Sequence, residues 1–189
     1  MKKTITSLMV LAFCAASVFA QKKADPKAPA APAAPAAAAT NAAVVLYYSD
    51  NADKDDPIAQ KIGTLAKADV FKISADGKAV GADGKTAVDV TKYKTVYLGS
   101  VVKGETKKET VADPVKTYLA ATKLTNLNVA YYGTTMGAAA VPEFGKNFEA
   151  LIATSGGKLI PKSNAKNILV SSAADKAQET AIKGWLGVK

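Results

Sequence analysis

The sequence contains no histidine and no arginine, so all 25 of its basic residues are lysine. Without histidine there is no imidazole base, no Ser-His-Asp triad and none of the common zinc sites. Without arginine there is no planar fork to grip a phosphate or a base edge at two points. Nucleic acid is therefore not an expected partner. Cysteine occurs once, at Cys14. A chain that loses Cys14 has no disulfide, no thiol nucleophile and no thiolate metal ligand. No two carboxylates are fixed together by spacing, so no acid/base pair can be named. The acidic run from Asp50 to Asp56 lacks the glycine and the later glutamate of a calcium loop. Helix capping and solvated charge explain it more simply. No catalytic residue and no metal ligand is assigned, and an electron carrier or binding protein is a better expectation than a catalyst.

The net charge is +9, and losing Lys2 and Lys3 takes two charges away and leaves +7. The lysines are scattered, with only short doublets such as Lys22-Lys23 and Lys107-Lys108. That pattern describes a solvated surface better than a patch for a polyanion.

The chain opens with the pattern of a secretory leader. Met1-Lys2-Lys3 precedes an apolar run from Ile5 to Val18, and Val18-Phe19-Ala20 precedes Gln21. Residues 1–20 read as a signal peptide, which directs the chain to the periplasm or out of a bacterial cell. The run is too short for a stable membrane span. Cleavage after Ala20 removes Cys14 and leaves no transmembrane segment. The alternative is lipid attachment at Cys14, against which the bulky Phe13 counts. Residues 21–43 form an Ala/Pro-rich linker with almost nothing large to bury. At about 3 Å per residue its stretch from Ala24 to Ala43 spans roughly 60 Å as a semi-rigid spacer.

Residues 44–189 are enough for one domain with one core. Strand and helix signals alternate through them. Ala43 to Tyr48 is a continuous apolar run, as in a strand covered on both faces. A helix from Pro57 to Ala66 repeats Ile58, Ile62 and Leu65, with Pro57 in its first turn and Asp55 or Asp56 as cap. Asp69 to Ile73 is a second strand, and Ser74 to Thr91 a long loop or weak helix. Lys94 to Leu98 is a third strand, closing on Gly99-Ser100. The polar stretch 103–110 leads to a capped helix from Asp113 to Ala121. Leu127 to Tyr132 is a fourth strand, closing on Gly133-Thr134-Thr135. Pro142 to Thr154 is a helix with Phe144, Phe148, Leu151 and Ile152 inward, ended by Gly156-Gly157. A fifth strand is either Lys158 to Ile160 or Asn167 to Val170. Ser172 to Leu186 is the last helix, with Ala177, Ala181, Ile182 and Trp185 on its core side.

This alternation predicts an α/β fold: a three-layer αβα sandwich around a five-stranded parallel sheet. Ligands of such sheets sit at the carboxyl ends of the strands. Those ends carry Ser49, Gly99-Ser100 and Gly133-Thr134-Thr135.

Val45-Leu46-Tyr47-Tyr48-Ser49 before a helix, Thr95 to Ser100, and Asn128 to Thr134 together resemble the flavodoxin family. Val115 to Leu119 is similar to the helix that follows that family's second flavin loop. The resemblance covers residues 44–189. It implies strand order 2-1-3-4-5, an FMN cofactor and a redox or envelope protein partner. The family's phosphate loop, Ser/Thr-x-Thr-Gly-x-Thr, falls on Ser49, Asn51, Ala52 and Lys54, in a loop one residue longer before the helix. Its second and third flavin loops fall on Gly99, Ser100, Val101 and on Gly133, Thr134, Thr135. The chain departs at Ala52, which replaces a glycine, and at Lys103, which stands where the family has a stacking aromatic. Tyr132 sits one step early for a stack from the third loop. Asp50, Asp53, Asp55 and Asp56 oppose a phosphate dianion. One carboxylate about 5 Å away, at an effective dielectric near 40, repels by roughly 1.5 kcal/mol per unit charge. Two readings follow: an exported flavodoxin-like electron carrier with FMN, or a flavin-free flavodoxin-like binding module tethered in the cell envelope.

Overall fold

The computed structural model describes residues 41–105, 107–135, 142–160, 168–169 and 176–189. The expected leader, Cys14 and the Ala/Pro segment to residue 40 lie outside the described residues. So do residues 136–141 after the third loop, and the expected starts of the fifth strand at Asn167 and of the last helix at Ser172.

β1 (Ala43–Tyr47) has Val44, Val45 and Leu46 fully buried. It pairs in parallel with β2 (Ala68–Ile73) on one side and β4 (Thr95–Lys103) on the other. β4 pairs in parallel with β6 (Asn128–Thr135). Alternate residues serve opposite faces. Val44, Leu46, Val96, Leu98, Val129 and Tyr131 join one core cluster; Val45, Tyr47, Ala130 and Tyr132 join another. α2 (Asp113–Ala121) and α3 (Pro142–Thr154) cover the first face through Val115, Leu119, Phe144, Phe148 and Ile152. α1 (Ala52–Ala66) and α4 (Lys176–Leu186) cover the second through Ile58, Ile62, Ile182 and Trp185. Burying each such side chain contributes roughly 1.5–3 kcal/mol.

With Ala79–Val80 as β3 and Lys158–Leu159 as β7, the full order is β3-β2-β1-β4-β6-β7. The sheet is mostly parallel, not wholly so. β3 (Ala79–Val80) forms an antiparallel edge on β2, inside the stretch expected to be loop or weak helix. β5 (Thr110–Val111) folds back antiparallel on β4. The choice between two fifth strands resolves into both. β7 (Lys158–Leu159) pairs with the start of β6, and β8 (Ile168–Leu169) with its end.

Several boundaries move. α1 begins at Ala52, five residues before Pro57, which lies inside the helix. Its cap is Asn51, not Asp55 or Asp56, and the loop before it is correspondingly shorter than expected. Proline has no N–H to give Asp53's carbonyl, but Pro57 and Asp53 are both exposed, so that carbonyl need not go without a solvent partner. α2 is capped by Ala112 without a side-chain bond. Two residues of the expected linker bond to the sheet. The Asn41 amide donates to Asp69 at 2.6 Å, and Ala42's carbonyl accepts from Lys94 N–H at 2.8 Å.

Gly99 lies inside β4 beneath the Tyr132 ring. A Cβ there would stand 2.3 Å from Tyr132 Cζ. Tyr132 is buried against Trp185, with ring centroids 5.7 Å apart, and has little room to retreat. Gly99→Ala is therefore expected to lower unfolding free energy by about 1–3 kcal/mol. Urea denaturation measures it; wild-type stability would contradict this packing.

Candidate functional site

The first loop leaves β1 at Tyr48 and turns into α1. The Ser49 hydroxyl donates to the Asp55 carboxylate at 2.9 Å and accepts from Asn51 N–H at 3.0 Å. Asp55 is only 5% exposed. A carboxylate there faces the positive end of the helix and has a donor, which makes its burial tolerable. Ser49 is thus turned toward the protein.

The four aspartates of this loop do not converge. Asp55 binds Ser49, and Asp56 accepts from Lys72 at 3.2 Å and from the Tyr47 hydroxyl. Asp50 pairs with Lys103 and accepts from the Tyr48 hydroxyl. Asp53 is exposed. Burial alone would raise the Asp50 pKa, but hydrogen bonds from Lys103 and Tyr48 outweigh it and hold it below the ordinary 3.8. The same bond raises Lys103.

The second expected loop is largely strand. β4 runs through Gly99 and Ser100 to Lys103, so both small residues are buried in the sheet rather than at its rim. The Ser100 hydroxyl donates to Val101's carbonyl and accepts from Ala112 N–H at 3.0 Å, which fixes the start of α2. The third loop is likewise strand as far as Thr135. Gly133 admits the Phe144 ring, whose Cε1 would stand 2.6 Å from a Cβ. These strands run past the expected stops because apolar partners cover both of their faces.

What remains at the carboxyl end is a cleft of about 230 Å³ lined by Asp50, Asn51, Lys54, Asp55, Val101, Val102, Lys103, Thr134 and Thr135. Of the expected site residues, Asn51, Lys54, Val101, Thr134 and Thr135 meet there; Ser49, Gly99, Ser100 and Gly133 do not line it. Alternation places Val101 and Lys103 on the face that carries α1. The walls hold two carboxylates and two lysines, so formal charge balances. Thr134 is 4% exposed, and its Oγ1 has no hydrogen-bond partner among the described residues. Buried hydroxyls normally have one. The cleft is smaller than the 300–1,000 Å³ or so that encloses a drug-sized ligand. Its described part suits one end of a larger molecule. A second groove of about 330 Å³ runs along Val70, Phe71 and Val80 at the β2–β3 edge.

No family model matches the chain, and no curated protein sequence matches it. Solved structures do. A flavodoxin, WrbA-like protein from Agrobacterium tumefaciens superposes with a TM-score of 0.57 at 12% identity, over 76% of this chain and 91% of that one. Oxidised flavodoxin 2 from Bacillus cereus gives 0.53 at 16% identity, over 77% and 95%. A flavodoxin from the domain Archaea gives 0.52 at 15%, over 77% and 95%. The chain has a flavodoxin-like fold. At these identities the likeness is one of architecture, and the flavodoxin-like rim must be judged on its own residues.

Two cleft residues escaped assignment from the sequence as a pair. Asp50 and Lys103 each stand out singly, but only β4's extension beyond Ser100 brings them together. Counting alternation onward from Tyr97 would have put Lys103 on the α1 face.

Because Asp50 titrates lower in the fold than in the unfolded chain, its pairing stabilises the protein fully above pH 3.8. That contribution fades as pH falls through the lower folded value. Lys103→Gln is expected to raise the Asp50 pKa, read from its carboxyl carbon by NMR. An unchanged pKa would show that the pair does not form.

Proposed function

We propose that this flavodoxin-like chain is an exported electron carrier that holds FMN in the cleft between Asn51–Asp55, Val101–Lys103 and Thr134–Thr135. The observation that carries this reading is the Thr134 hydroxyl. It is buried and unpartnered in the wall of a cleft that also borders the start of a 15-residue helix. An unpaired buried hydroxyl costs about 1–3 kcal/mol, which a ligand acceptor would recover.

The residues fit the phosphate end of FMN. The start of α1 offers its positive end, Lys54 adds a cation, and Thr134 adds a donor. Asp50 and Asp55 oppose an anion less than their number implies, since Lys103 neutralises one and the Ser49 hydroxyl engages the other. Val101 and Val102 give apolar surface for the ring, and Lys103, which stands where the family has an aromatic, lies at the mouth of the cleft. When bound, FMN supplies reversible electron transfer; the chain's part is to bind it, orient it and exclude water from its phosphate. The leader at residues 1–20 supports a role in the cell envelope or outside the cell, with a redox protein as partner.

The second reading, a flavin-free binding module, draws on the Asp50–Lys103 pair that already occupies the cleft. Titrating the full chain with FMN and following flavin fluorescence separates the two. Stoichiometric quenching, with weaker binding of riboflavin, which lacks the phosphate, is the expected result. No quenching at high micromolar FMN would overturn the flavin reading.

Thr134→Val sharpens the test. Removing an unpaired buried hydroxyl is expected to leave stability unchanged or raise it by up to about 1 kcal/mol, while FMN affinity falls several-fold. A stability loss with unaltered affinity would show that the hydroxyl serves the fold alone.

A further inference from the structure

The geometry points to Lys103 as the residue that selects an anionic group on the ligand, with Asp50 as a resident counter-ion that the ligand must displace. This rests on the reading that the cleft takes an anionic ligand, but not on that ligand being FMN.

Lys103 is the last residue of β4 and is held in register by its pairing with Thr110 of β5. The next residue, Gly104, turns the chain at φ +93°, and a Cβ there would stand 2.4 Å from Lys108's carbonyl oxygen. A side chain at 104 would therefore disturb the turn that aims Lys103 at the first loop. Asp50 comes from the opposite wall and is steadied by the Tyr48 hydroxyl. The two side chains are 48% and 37% exposed, so the pair sits at the mouth, where water reaches it. Exposed pairs of this kind are weak. A phosphate or carboxylate with further partners inside, such as the Thr134 hydroxyl, can take Asp50's place against Lys103.

Displacement and simple repulsion by Asp50 give different results, and inorganic phosphate separates them without any flavin. The full chain is titrated with phosphate at constant ionic strength, following the backbone amides of Val102 to Gly104 by NMR. Asp50→Asn keeps the side chain's shape and is expected to tighten phosphate binding roughly two- to fivefold, the range set by an exposed ion pair. Lys103→Gln is expected to abolish the response. In the double variant the gain from Asp50→Asn should vanish, because its route was Lys103. Asp53→Asn, outside the cleft, controls for charge and should change little.

The proposal is overturned if Asp50→Asn brings no gain, if that variant shows no phosphate response, or if the gain survives in the Lys103→Gln background. If phosphate behaves as described while FMN fails to bind the wild type, the flavin reading falls and this one stands.

Discussion

Burial of the three central strands on both faces is the constraint on which the rest of the structure depends. β1, β4 and β6 carry apolar side chains at consecutive positions, and each must be covered from above and below. Parallel pairing forces every connection to cross back over a face. Helices make these crossings and supply the cover, except between β2 and β4, where residues 74–94 cross with β3 and a short 3-10 turn and bring Val90 and Tyr93 into the core. α1 therefore starts at the carboxyl end of β1, beside the ends of β4 and β6. The cleft is a consequence of this arrangement, lying where the strands stop and the first covering helix begins.

Charge decides what that cleft can hold. A loop with four aspartates looks hostile to any anion, yet the fold distributes them. Asp56 leans to Lys72 and Tyr47, Asp55 is buried on Ser49, and Asp50 crosses to Lys103. Electrostatic cost depends on which charges share a direction and a dielectric, not on how many occur in sequence. The cleft is left near neutral, with a helix start and an unpaired hydroxyl in its walls. These walls match the anionic end and less polar body of the proposed ligand.

The sequence revealed the fold better than the site. The apolar runs at Val44 to Tyr47 and Thr95 to Leu98, and the i, i+4 spacing of Phe144, Phe148 and Ile152, are local signals of period and burial. They specify elements without knowledge of their neighbours. Strand ends are different. Gly99, Ser100 and Gly133 read as stops by type, but Tyr132, the Ala112 amide and Phe144 pack onto them from distant segments and keep the strands going. Pro57 likewise read as a helix start, although the exposed side of α1 tolerates it six residues in. Asp50 and Lys103 are far apart in the chain, and no periodicity links them.

The most direct test of the cleft as the binding site is to map FMN-induced amide shifts over the full chain by NMR. Shifts concentrated at Asn51, Lys54, Val101 to Lys103, Thr134 and Thr135 are the predicted result. Shifts clustered instead on Val70, Phe71 and Val80 at the β2–β3 edge, or none at all, would contradict it.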